Sequence, residues 1–158
     1  HWGGGPVGIW TYIVNNFLIQ YNESHHNKAG LDADGGGFDF DGGTNNSIMQ
    51  YNYSHDNEGA GYLAAQYPGA PSMSNNIIRY NISENDGRKN STGGIYLWGG
   101  DPFSNFQIYN NTIYLDGNNM TNGTPAAVVM NGNNYSGINI RNNIFITSGT
   151  LPNLISAN

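Results

Sequence analysis

The chain has 158 residues, of which 37% are hydrophobic, and this suits a single domain with a buried core. A net charge of −6 with only five Lys and Arg residues excludes the basic surface that nucleic acids and anionic membranes require, so neither is expected as a partner. The 23 Gly and 27 Asn residues disfavour helices and favour tight turns.

Two predicted strands alternate along the chain, the first at residues 8–12 and the second at residues 17–22. Later copies of the first strand begin with small residues and cover residues 37–41, 61–65, 94–98 and 127–131. Each copy of the second strand ends in asparagine, and these residues are Asn22, Asn52, Asn81, Asn111 and Asn143. Their spacing of 30, 29, 30 and 32 residues indicates an internal repeat.

One repeat of two short strands cannot bury its apolar face alone, so successive repeats have to stack and pair in parallel. The sequence therefore predicts an all-β fold, a β-solenoid of about five coils with ~30 residues each. It is expected to form one domain over residues 1–158. One apolar position of the second strand is predicted to face the core in every coil: Ile19, Met49, Ile78, Ile108 and Ile140.

The pattern Ile-x-x-Asn, as in Ile19 with Asn22 and Ile78 with Asn81, resembles the repeat of right-handed parallel β-helix proteins of the pectate-lyase-like superfamily. The resemblance covers about residues 8–147. It implies that the Asn side chains stack inside the coils and that their amides hydrogen-bond along the stack. The sequence is also similar in style to β-helical modules that bind xylan beside a plant-wall hydrolase.

Alternation along the first strand predicts one row of side chains that faces the core and another that faces out. The outer row contains aromatic residues and two carboxylates, with the small Ala65 between them: Trp10, Tyr12, Asp39, Asp41, Tyr96 and Trp98. Exposed aromatic rings beside hydroxyl-binding carboxylates are suited to sugars. We therefore predict a non-catalytic binding face for a polysaccharide, with neutral xylan-like chains first. Alternatively, these rings pack under the loops 66–74 or 99–104, or against another domain.

The second alternative is a polysaccharide lyase, epimerase or glycoside hydrolase that uses Asp39, Asp41, His55 and Arg79. The two Asp residues are roughly 6.5 to 7 Å apart by strand rise, which is compatible with an inverting pair. Against a lyase, no basic residue falls in the outer row, and the acidic chain repels polyuronates. A third alternative is a structural spacer or adhesin segment.

Two groups of residues are candidates for a metal. Asp32 and Asp34 lie in a Gly-rich acidic segment and are weak candidates for Ca²⁺, since such residues also form Asx turns. No other cofactor is expected. His25, His55 and Glu84 each lie three residues after a repeated Asn. If they face outward, they form a column that could bind a transition metal or act as acid and base; otherwise they close a turn.

The chain begins within a repeat and contains no cysteine. We expect it to be part of a longer secreted, extracellular protein of bacterial origin, tethered to a catalytic domain or to a further β-helix domain.

Overall fold

A computed structural model of the chain describes residues 7–30, 34–150 and 154–157. The chain is an all-β parallel β-solenoid of about five coils with ~30 residues each, which confirms the predicted fold class. Within the described residues the single helical element is a 3₁₀ turn, Gly117–Asn119. No helix in this part of the chain is long and apolar enough to cross a membrane.

Each coil contributes three or four short strands. The first coil contains β1 (Ile9–Thr11), β2 (Leu18–Gln20) and β3 (Glu23–His25), and the second contains β4 (Phe38–Asp41), β5 (Ile48–Gln50) and β6 (Tyr53–His55). The third coil contains β7 (Tyr62–Gln66), β8 (Met73–Ser74), β9 (Ile77–Arg79) and β10 (Ile82–Glu84). The fourth contains β11 (Ile95–Gly99), β12 (Phe103–Ser104), β13 (Gln107–Tyr109) and β14 (Thr112–Asp116). The fifth contains β15 (Val128–Gly132), β16 (Tyr135–Ser136), β17 (Asn139–Arg141) and β18 (Ile144–Ser148), and β19 (Ile155–Ala157) follows it.

Equivalent strands of successive coils pair in parallel and form four sheets. The first sheet has the order β1-β4-β7-β11-β15-β19, and the second has the order β2-β5-β9-β13-β17. The third sheet has the order β3-β6-β10-β14-β18, and a small fourth sheet contains β8, β12 and β16. The first and second sheets correspond to the two predicted strands. The third and fourth sheets were not resolved as separate elements by the sequence pattern.

The core lies inside the coils, where the alternation of the first strand predicts it. Phe38, Tyr62 and Ile95 occupy one row of the first sheet and are fully buried. The rings of Phe38 and Tyr62 stack with centroids 5.3 Å apart. In the second sheet, Ile19, Met49, Ile78 and Ile108 are buried in register, and Ile140 packs partly buried against them. Stacking therefore gives every coil an apolar interior that no coil could bury alone.

The repeated Asn residues form a hydrogen-bonded ladder between the second and third sheets. In each step both the backbone N–H and the side-chain amide donate to the Oδ1 of the Asn in the next coil, from Asn22 through to Asn143. The residue before each ladder Asn has a left-handed backbone, as at Tyr51 with φ 53°. These bonds satisfy buried polar groups at the corner of the coil, and they confirm the expected Asn ladder.

Candidate functional site

The outer face of the first sheet brings the predicted sugar-binding residues into two rows. Trp10, Asp39, Leu63 and Tyr96 are in register in one row. Asp41, Ala65 and Trp98 are in register in the other row, and Tyr12 continues it from the end of β1. The predicted pairing of successive strands is therefore correct, and Asp41 lies one coil from Tyr12 and two coils from Trp98.

The aromatic residues of this face are accessible to solvent. Trp10 is 46% exposed, Tyr12 is 44% exposed and Trp98 is 38% exposed, whereas Tyr96 is half-buried. The ring centroids of Trp10 and Tyr12 are 6.4 Å apart. At the fourth coil, the Tyr96 hydroxyl accepts a hydrogen bond from the Asn131 side chain at 2.9 Å. Aromatic surface thus lies at both ends of the face, with the carboxylates between.

Tyr67 joins the aromatic group, although alternation along the strands does not identify it. It follows β7 directly, and its ring lies 6.5 Å from that of Tyr12. Its hydroxyl donates to the Tyr12 hydroxyl at 3.0 Å. The Tyr67 ring passes over Gly42, where an added Cβ would lie 2.8 Å from a ring carbon. The absence of a side chain at Gly42 therefore lets Tyr67 reach across the second coil to Tyr12.

Asp39 points out of the core but does not face water, in contrast to the prediction. It is only 5% exposed, because it lies in its row between the larger side chains of Trp10 and Leu63. Its Oδ1 is buried and has no hydrogen-bond partner within the described residues. Burial, together with the negative charges of Asp41 and Asp34, raises the pKa of Asp39 well above its usual value. The neutral acid is therefore favoured there.

Asp41 is half-buried and remains accessible from the face. Its Oδ1 accepts a hydrogen bond from the backbone N–H of Gly42 at 2.7 Å. Burial raises the pKa of Asp41, the Gly42 bond opposes this, and the charge of Asp34 adds to it. Of the weak Ca²⁺ candidates, Asp32 lies outside the described residues. Asp34 is not among the described groups of side chains that could hold a metal ion.

His55 and Arg79, the other residues of the enzymatic alternative, lie on other sheets. His55 is on β6 in the third sheet and Arg79 is on β9 in the second sheet, whereas Asp39 and Asp41 are on β4 in the first. Arg79 donates to Gln50 at 2.8 Å and to the Tyr109 hydroxyl at 2.8 Å. The four residues therefore do not share one face of the solenoid.

A histidine-rich cluster occupies the outer face of the third sheet. The predicted column of His25, His55 and Glu84 is in register and faces outward. His55 Nε2 lies 3.0 Å from Glu23 Oε1, and its Nδ1 lies 2.9 Å from Asp56 Oδ2. Burial lowers the pKa of His55, but the hydrogen bonds and charges of Asp56 and Glu23 outweigh it and raise the pKa overall.

Another aromatic stack, on the corner between the second and third sheets, was not predicted as a site. The rings of Tyr21, Tyr51 and Tyr80 are nearly parallel, with successive centroids 5.3 and 5.2 Å apart. They line an open groove of about 510 Å³ together with Tyr53 and Ile82. Stacking covers both faces of the middle ring, Tyr51, so mainly the edge of that ring can contact a ligand.

Comparison of the chain with protein-family models, with curated proteins and with solved structures gives no match. The fold and the placement of its own side chains are therefore the basis for assigning a function to this chain.

Proposed function

We propose that the chain binds a polysaccharide on the outer face of the first sheet, without catalysing a reaction. The observation that carries this proposal is that Trp10, Tyr12 and Trp98 are exposed on the same face as Asp41. Aromatic rings pack against the C–H faces of sugar rings, and carboxylates accept hydrogen bonds from sugar hydroxyls. Both kinds of contact are present on this face.

The spacing of the coils suits a linear glycan that runs along the solenoid axis. Successive parallel strands are about 4.8 Å apart, which is of the order of one sugar residue. Tyr12 and Trp98 are three coils apart, a span of about 14 Å, so a chain of about three sugars would contact both rings and pass Asp41. Asp41, in the same row between the two rings, would then bind a hydroxyl, and Asn131, one coil beyond Trp98, would bind a hydroxyl of a longer chain.

The net charge of −6 favours a neutral glycan over a polyuronate. A xylan-like plant-wall polysaccharide is the first choice, in line with the resemblance to pectate-lyase-like β-helix proteins and to β-helical xylan-binding modules. Secretion and a tether to a catalytic or further β-helix domain belong to the same proposal, because a binding module acts by keeping its partner near an insoluble substrate.

Affinity electrophoresis in gels that contain xylan, β-glucan or pectin tests the proposal. We expect xylan to retard the wild-type chain and Trp98→Ala to abolish this retardation, because a stacking platform is removed. Tyr21→Ala is the matched control, since Tyr21 is 73% exposed but lies on another corner of the solenoid. Unchanged mobility of the wild type in all gels, or loss of retardation in Tyr21→Ala alone, would contradict the proposal.

A second candidate function is glycoside hydrolysis, and the environment of Asp39 favours it. A buried carboxyl with a raised pKa beside a more accessible carboxylate is an arrangement used for general acid and base catalysis. In the same samples, release of reducing ends that disappears with Asp39→Ala would place hydrolysis first. Retardation without product release supports binding alone.

A further inference from the structure

We propose that Glu23, His25 and His55 bind a divalent transition metal of borderline softness, such as Zn²⁺, on the outer face of the third sheet. This site is separate from the polysaccharide face of the first sheet. The parallel pairing of β3 with β6 sets His25 directly beside His55 and Glu23 beside Tyr53. Two imidazoles and one carboxylate are thereby collected from two successive coils.

The donor atoms are close enough for one ion. One ligand atom from each of Glu23, His25 and His55 lies within 4.8 Å of the others. The two imidazole rings stack with centroids 4.8 Å apart and an interplanar angle of 15°. Nδ1 of each ring contacts the residue that follows it, His26 or Asp56, so equivalent nitrogens face the same side of the stack. Zinc bonds of about 2.0 to 2.2 Å require the donors to close in slightly. Glu23 and His25 are exposed and free to make that adjustment.

The remaining ring nitrogens already have partners that orient the histidines. His55 Nδ1 lies 2.9 Å from Asp56 Oδ2, and His25 Nδ1 lies 2.8 Å from His26 Nδ1. His26 and Asp56 both have left-handed backbones, with φ of 56° and 54°, which turn their side chains back beside the preceding histidine. The metal would bind Nε2 of His25 and Nε2 of His55, and the latter already lies 3.0 Å from the third ligand atom, Glu23 Oε1. A carboxylate behind a ligating histidine fixes its tautomer and its orientation, and Asp56 takes this position for His55.

The set of donors determines which ions are suitable. Imidazole nitrogens bind Zn²⁺, Cu²⁺ and Ni²⁺, whereas Ca²⁺ and Mg²⁺ prefer oxygen ligands alone. A second set of donors, His26, His55 and Asp56, is equally compact. Both sets draw ligands from two successive coils, and the first is favoured because it leaves Asp56 and His26 as orienting partners. Three protein ligands leave one position of a tetrahedral site open.

Isothermal titration calorimetry of the 158-residue chain with ZnCl₂ tests the site. We expect one Zn²⁺ per chain and no competition from excess Ca²⁺ or Mg²⁺. Glu23→Gln, His25→Gln and His55→Gln should each weaken binding by about a hundredfold or more, and Asp56→Asn by about tenfold, as for outer partners of metal ligands.

Glu84→Gln is the matched control. Glu84 continues the same column in the next coil, but its Oε2 accepts a hydrogen bond from the Tyr53 hydroxyl at 2.6 Å. This variant removes the same charge as Glu23→Gln and should bind Zn²⁺ like the wild type. Zinc should also raise the melting temperature of the wild type but not that of Glu23→Gln, whose exposed position keeps the fold intact.

Three outcomes would overturn the proposal. The first is the absence of saturable zinc binding by the wild type. The second is undiminished binding by the His25→Gln/His55→Gln double variant, which would place the ion elsewhere in the chain. The third is retained binding in Glu23→Gln and His25→Gln with loss in His26→Gln and Asp56→Asn, which would assign the ion to the other set of donors.

Discussion

Asp86 occupies a position where the two preceding coils have asparagine. The backbone N–H and the side-chain amide of Asn27 donate to Asn57 Oδ1, and those of Asn57 donate to Asp86 Oδ1. Each of the three residues also contacts a serine three positions earlier, and for Asp86 this is Ser83 at 2.6 Å. A second polar ladder therefore ends in a fully buried acid.

We expect Asp86→Asn to stabilise the chain at pH 7. Burial raises the pKa of Asp86 from 3.8 to about 6, against the hydrogen bonds of Ser83, Ser54 and Asn57. Between these pH values the folded chain binds more protons than the unfolded chain. The contribution of neutral Asp86 to the free energy of unfolding is therefore fully present below about pH 3.8 and is lost as the pH rises through about 6. A difference of about two pKa units corresponds to about 3 kcal/mol.

Urea denaturation at pH 4 and pH 7 measures this effect. Asp86→Asn should gain up to about 3 kcal/mol at pH 7 and much less at pH 4, where the acid is already neutral. The control is Asp101→Asn, which removes the same charge at a position that is only partly buried. The Asp101 carboxylate accepts a hydrogen bond from Gly69 N–H at 2.6 Å, so we expect no increase in the free energy of unfolding when its charge is removed. An equal gain at both pH values would show that charge is not the cause.

At the scale of elements, the Asn ladder holds the second and third sheets together at their shared corner. Asn81 accepts from Asn52 N–H at 3.0 Å and from the Asn52 amide at 3.1 Å, and its own amide donates to Met49 O at 2.9 Å. Asn143 makes equivalent bonds to Asn111 and Ile108 but is only partly buried. The same side chain thus has different surroundings in the middle and at the end of the ladder.

Asn81→Ala should therefore destabilise the chain more than Asn143→Ala. Truncation at residue 81 leaves buried groups of Asn52 and Met49 without partners, at about 1 to 3 kcal/mol for each group. At residue 143 water replaces part of the lost contacts, so we expect a cost of about 1 kcal/mol. Thermal unfolding of the two variants side by side measures the difference. Equal losses would mean that the ladder is not the source of stability at this corner.

The repeat spacing was sufficient to predict the coils and the register, because one inward Ile or Met and one Asn recur in every coil, and the resemblance to β-helix proteins implied the Asn ladder. The third sheet was missed as a separate element, because a strand such as Glu23–His25 is short and polar and has no hydrophobic alternation. Alternation also gives the side of the sheet on which Asp39 lies, but not the neighbours that bury it. The reach of Tyr67 over Gly42 depends on a loop that has no sequence period.

At the scale of the whole molecule, the solenoid is a row of coils in which each described strand pairs only with strands of the coils directly beside it. Middle coils have two such interfaces, and the apolar core is most completely buried there, as at Met49, Ile78 and Ile108. In the fifth coil, Ile140 and Phe145 are only partly buried. Stability in such arrays is the sum of coil and interface terms, so the coils should not be equally stable.

Hydrogen exchange should resolve this gradient within a single sheet. In the third sheet, β14 pairs with β10 and β18, whereas β18 pairs with β14 alone among the described strands. Both strands have five residues, so they form a matched pair. Opening β18 breaks one interface, whereas opening β14 breaks two.

We therefore expect the amides of β18 to exchange through local opening that is insensitive to low urea, and those of β14 to exchange only with global unfolding. Mass spectrometry of peptides that cover each strand measures both rates, and equal protection with equal urea dependence would mean that the five coils unfold as one cooperative unit.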